Sequence, residues 1–156
     1  MTEPLNPFQP PKSELEVVSA NAPKRMFSPN QALGAAFLGG PFAATYVIRA
    51  NYEAMGNTRA ALRTLLIGGA LSLLLIGTLP FIPSGVPNQV LPLAYSFTTR
   101  YVVQSFQMSK TKIASTEGVT FQPNGRVVAI GLVGLVAFLV LALAVVLGVR
   151  RLTGAE

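Results

Sequence analysis

The sequence predicts an all-α integral membrane protein, a small bundle of four helices behind a proline-rich tail. Three observations predict it. Only 12% of the 156 residues are charged, about half the share of a typical soluble domain. The charges cluster, leaving no charged residue between Arg25 and Arg49, between Arg63 and Arg100, or between Arg126 and Arg150. The first and last gaps are 23 residues long and the middle one 36, and roughly 20 apolar helical residues cross a bilayer core of about 30 Å.

Residues 1–27 read as a polar tail, partly polyproline II, with Pro4, Pro7, Pro10, Pro11 and Pro23. It is not a secretory leader, because no apolar run follows a basic start. Ser13 to Val18 has too little apolar surface to fold alone. The helical domain is expected over 28–151, with a short tail at 152–156.

The first helix is expected over about 29–55, with Ser28 as N-cap and Pro29 at its first position. Gly56 is placed as its C-terminal cap and Asn57 as the cap of the next helix. Two rows of small residues recur every four positions, Ala35, Gly39, Ala43 and Ala32, Ala36, Gly40, Ala44. Together with Pro41 they make a candidate helix-packing stripe. Inside a bilayer, small residues drive association by letting backbones approach. Gly39-Gly40-Pro41 reads as a proline kink within a span. The alternative is a re-entrant turn with both ends on one side, which needs its non-helical backbone covered by protein.

The second helix is expected over about 58–80, apolar all round from Leu65 to Leu79. Pro80, Pro83, Gly85 and Pro87 then break the chain. The third, over about 89–108, is amphipathic. Val90, Leu93, Phe97 and Tyr101 recur on one face, and Ser96, Arg100, Gln104 and Gln107 on another. It either spans or lies in the interface. Residues 109–125 read as a polar loop, or as a small hairpin over 113–121. The last helix is expected over about 126–150, anchored by Arg150 and Arg151.

The tail motif Asn6-Pro7-Phe8-Gln9-Pro10-Pro11, with the later stretches 27–41 and 51–56, resembles a group of uncharacterised small multi-spanning bacterial inner-membrane proteins. That resemblance implies a multi-pass protein of a bacterial cytoplasmic membrane. It carries no activity.

The chain has no cysteine and no histidine, which removes disulfides, thiolate metal sites and imidazole acid–base chemistry together. None of its six acidic residues lies within an apolar run. No enzyme, cofactor or metal site is therefore expected. The net charge of +6 comes from arginines and lysines scattered beside apolar runs, without the basic face that nucleic acid needs. Membrane lipids are the expected partners, and Arg49, Arg59, Arg63 and Arg100 are candidate contacts for lipid or protein.

Orientation depends on the first segment. With four spans, Lys12, Lys24, Arg25, Arg150 and Arg151 oppose Arg49, Arg59, Arg63, Lys110, Lys112 and Arg126, which gives no clean bias. A re-entrant first segment with a spanning third helix leaves only Arg150 and Arg151 on the opposite side. The expected role is a non-catalytic accessory or assembly subunit working through helix packing, as a homo-oligomer or in a larger complex. The alternative is an oligomeric transporter or channel lined by the third helix.

Overall fold

The computed structural model describes residues 23–83 and 85–154. Strand β1 (Lys24–Met26) leads into helix α1 (Pro29–Ala54) and helix α2 (Thr58–Thr78), which ends in a 3-10 turn at Leu79–Phe81. Helices α3 (Val90–Phe106) and α4 (Lys110–Ser115), strand β2 (Val119–Phe121) and helix α5 (Asn124–Thr153) complete the order. By length and composition, three of the five helices are apolar enough to cross a membrane, namely α1, α2 and α5.

Local chemistry sets the helix ends. Ser28 Oγ accepts from the Gln31 backbone N–H, and Gln31 Oε1 accepts from the Ser28 N–H, a reciprocal capping box. Gly56 has φ +76°, and Asn57 Oδ1 accepts from the Ala60 N–H to start α2. These caps lie where the sequence puts them.

The long first helix is not a straight span, and here the structure corrects the expectation. A continuous α1 would place its ends about 39 Å apart at 1.5 Å per residue. Instead the Phe27 N–H donates to Asn51 Oδ1 at 2.7 Å, and Asn51 Nδ2 donates to the Phe27 carbonyl at 2.9 Å. The chain therefore reverses within α1. The reversal is at Gly40, with φ +67° and ψ −161°, a backbone region essentially open only to glycine. Residues 29–39 and 41–54 form the two arms of a helical hairpin, with Gly39-Gly40-Pro41 at its turn.

The hairpin's open end defines a base. Near it lie β1, the start of α2, the end of α3, and the start of α5. Gln107, just past α3, donates to the Ile48 carbonyl at 2.7 Å, and Gln31 donates to the Asn124 side chain at 2.9 Å. At the far end the hairpin turn meets Phe138, halfway along α5. Helices α2 and α5 thus run from base to far end, and α3 runs back.

Strand β1 starts at Lys24, four residues before the expected boundary at 28. β1 pairs in parallel with β2, Lys24 with Val119 through Met26 with Phe121. Met26 and Phe27 are 1% and 0% exposed. A polar tail composition hid this because its partner strand lies almost a hundred residues on. Residues 109–125 accordingly form neither a plain loop nor a hairpin. They give the short helix α4, capped by Ser109 Oγ on the Lys112 N–H, and a strand whose partner is distant in sequence. The tail motif at residues 6–11 lies outside the described residues.

Candidate functional site

The core of this fold is built from small side chains. A methyl group on Gly39 would fall 2.5 Å from the Gly131 carbonyl oxygen and 2.8 Å from Gly131 Cα. One on Gly134 would fall 2.6 Å from the Gly39 carbonyl oxygen and 3.0 Å from Ala43 Cβ. The two backbones touch, and only glycine fits at each point. Ala32, Ala35, Ala36, Gly39, Gly40, Pro41, Ala43 and Ala44 are all buried. Within this chain, Gly39 and Ala43 of the small-residue rows pack against Gly131 and Gly134 of α5.

The non-helical turn is covered by packing as well. Gly40 and Pro41 are buried, Phe138 lies over Gly40, and Thr45 Oγ1 donates to the Pro41 carbonyl at 2.8 Å. Helix α2 buries Ala61, Ser72 and Ile76 and sets Gly68 directly against the Thr45 side chain of the second arm. Helix α3 turns Ser96, Thr99 and Val103 inward.

Amide side chains clasp the base. Asn51 is fully buried and serves three partners, the Phe27 N–H, the Phe27 carbonyl and Gln107 Oε1 at 2.9 Å. Gln31 Nε2 donates to the Gln122 carbonyl at 2.7 Å, and the Gln122 N–H donates to the Met26 carbonyl at 2.9 Å. No buried side-chain nitrogen or oxygen among the described residues lacks a partner, which is what a buried polar cluster requires for stability. Sequence reasoning missed Asn51 and Gln122. The available signal was a lone asparagine within a small-residue helix, and spacing alone gave it no partner.

A groove opens between α2 and α3, floored by residues 41–52 of α1 and enclosing about 630 Å³. Its walls are Ile67, Leu71 and Leu75 on one side and Tyr95, Thr99 and Val102 on the other. The hydroxyls of Thr45, Thr98 and Thr99 donate to carbonyls of their own helices at 2.7 to 2.8 Å. They therefore present methyl groups to the space. Arg63 and Tyr52 line the base end.

The four candidate arginines separate. Arg49 pairs with Glu53 at 2.8 Å across half-exposed side chains, a contact worth about 0–1 kcal/mol. Arg59 is exposed at the start of α2, and Arg63 is exposed at the groove mouth. Arg100 and Gln104 are exposed on α3, where Ser96 and Thr99 are buried. The expected polar face of α3 is thus split, half buried against α1 and half turned outward. Among the described residues no three His, Cys, Asp or Glu side chains come together.

No protein-family model, no curated protein and no solved structure matches this chain.

Proposed function

We propose that this chain is a multi-pass membrane protein of a bacterial inner membrane, in which α2, α3 and α5 cross and α1 is a re-entrant hairpin. Its role in this reading is that of a non-catalytic accessory or assembly subunit. The observation that carries the membrane reading is an inverted distribution of size. Large apolar residues face outward, such as Leu66, Leu73 and Leu74 on α2 and Val133, Val136, Val140 and Leu143 on α5. Small ones lie within. An aqueous monomer rarely exposes so continuous an apolar surface, whereas lipid makes it the stable arrangement.

The base carries Lys24, Arg25, Arg49, Arg59, Arg63, Lys110, Lys112 and Arg126, against Arg150 and Arg151 at the other end of α5. The positive-inside bias makes the base cytoplasmic. The assembly role moves from the stripe, which α5 occupies, to the outer face of α3. Arg100 and Gln104 lie there among exposed Phe97 and Tyr101, and a charge on a lipid-facing helix seeks a polar partner. The second reading, an oligomeric pore lined by α3, uses the same outward residues.

The natural absence of cysteine makes topology simple to test. Single cysteines in Asn30→Cys, Asn57→Cys and Glu117→Cys will all react from the cytoplasmic side, and Val86→Cys from the opposite one. Labelling of positions 30 and 57 from opposite sides would sink the re-entrant reading. Arg100→Leu will reduce co-purification with the partner in mild detergent. Water-soluble thiol labelling along positions 97, 100 and 104 at bilayer depth would favour the pore instead.

A further inference from the structure

We propose that the groove between α2 and α3 holds one acyl chain of an anionic phospholipid whose phosphate sits on Arg63. The inference rests on the membrane reading above and adds an occupant to it. Sixteen of the described residues line the groove, and Arg63 is the one charged side chain among them. No carboxylate lines it, and the nearby Glu53 is held by Arg49. The charge sits at the base end, where a headgroup of the same leaflet would lie. Guanidinium suits phosphate by its planar, forked set of donors, and the Tyr52 hydroxyl stands at the same end.

Dimensions agree with one chain. From Arg63 to Leu75 the α2 wall rises about 18 Å at 1.5 Å per residue. One leaflet of hydrocarbon is about 15 Å deep, half of a bilayer core. The hydroxyls of Thr45, Thr98 and Thr99 donate to their own helices, and Ala44, Ile48, Ile67, Leu71, Leu75 and Val102 give the walls a mainly hydrocarbon surface.

The test is photo-cross-linking in reconstituted vesicles. Phosphatidylglycerol and phosphatidylcholine, each with a diazirine in its acyl chain, are compared at equal mole fraction, and adducts are mapped by mass spectrometry. The expected result is adducts at Leu75, Tyr95 or Val102, the less exposed lining residues, that are about tenfold richer for the anionic lipid. Arg63→Glu brings them to the phosphatidylcholine level, and Arg63→Lys retains most of the excess. Thr98→Trp, which fills the space from an exposed position, removes groove adducts for both lipids. Adducts on the outer face of α5, at Leu139 and Leu143, stay constant and report correct folding.

Equal groove yields for the two lipids would overturn the proposal, as would adducts on outer faces alone. A photoreactive benzoylphenylalanine placed at Leu71 that gave a cross-linked product of doubled mass would show a second copy there and overturn it too. Failure of α5 labelling with every lipid would overturn the membrane reading itself. Loss confined to the groove overturns only the lipid.

Discussion

Helices α1 and α5 are of similar length, 26 and 30 residues, and each carries a close pair of glycines, yet they behave in opposite ways. α1 reverses, and α5 runs continuously for about 45 Å. The difference lies in the residue after each glycine. Gly40 precedes Pro41, whose ring disfavours helical backbone at the residue before it, and Gly40 accepts a conformation that other residues avoid. Gly131 and Gly134 each precede a leucine, and α5 keeps its hydrogen bonds. The straight helix then supplies the surface on which the bent one folds. A glycine pair is therefore a hinge or a groove according to its successor, and this molecule uses one of each against the other.

The comparison is most severely tested at Gly39. A leucine there has no space between α1 and the Gly131 backbone, and the two helices must separate. Gly39→Leu should cost about 3 kcal/mol or more, near the upper end for overpacking, read as a lowered unfolding midpoint in detergent titration. An unchanged midpoint would mean that the hairpin does not rest on α5.

Gly40→Ala tests the hinge alone. It requires φ +67° of a residue with a β-carbon, a strain of about 1–3 kcal/mol. The nearest neighbour, Phe138, is an ordinary 3.7 Å away, so the loss will come from backbone and not from crowding. The measurement is the same titration, and Ala and Ser should behave alike at this position.

Asn51→Leu tests what holds the arms together at the base. It leaves the Phe27 backbone groups and Gln107 without their partner, at about 1–3 kcal/mol. The expected sign is faster tryptic cleavage after Lys24 and Arg25 as β1 detaches, while the fold at the turn survives. Equal cleavage rates would show that strand pairing alone secures the base.

Gln31→Ala removes half of the capping box and the links to Gln122 and Asn124, and should cost about 1 kcal/mol. Ser72→Ala is the mildest change. Its hydroxyl, though fully buried, donates only to the Gly68 carbonyl one turn back at 2.6 Å, so stability should shift by less than about 0.5 kcal/mol. A large loss at Ser72 would reveal a role across the α1–α2 contact that this hydrogen bond does not explain.

Much of the fold is legible in the residues themselves. Ser28, Pro29, Gly56 and Asn57 mark their helix ends because capping is local chemistry, readable within a few positions. The apolar lengths of α2 and α5 come from composition, and the small-residue rows of α1 are visible as a stripe. The candidate site is less evenly legible. Arg63 stands out as a contact beside an apolar run, but the groove it heads is formed by three helices and has no signature in any one of them. Arg100 shares a predicted face with Ser96 and Gln107, and the packing on α1 divides that face in two.

The sequence by itself determined the four long helical segments, the caps at Ser28, Gly56 and Asn57, where an apolar solvent is expected and which positions are too small to keep backbones apart. Only the tertiary structure decided that α1 turns back at Gly40, that its stripe is met by α5, and that β1 pairs with β2. The physical reason is range. Caps, propensities and apolar lengths depend on neighbours a few residues away, whereas Gly39 with Gly131, Asn51 with Phe27 and Gln107, and Met26 with Phe121 depend on which distant surfaces meet.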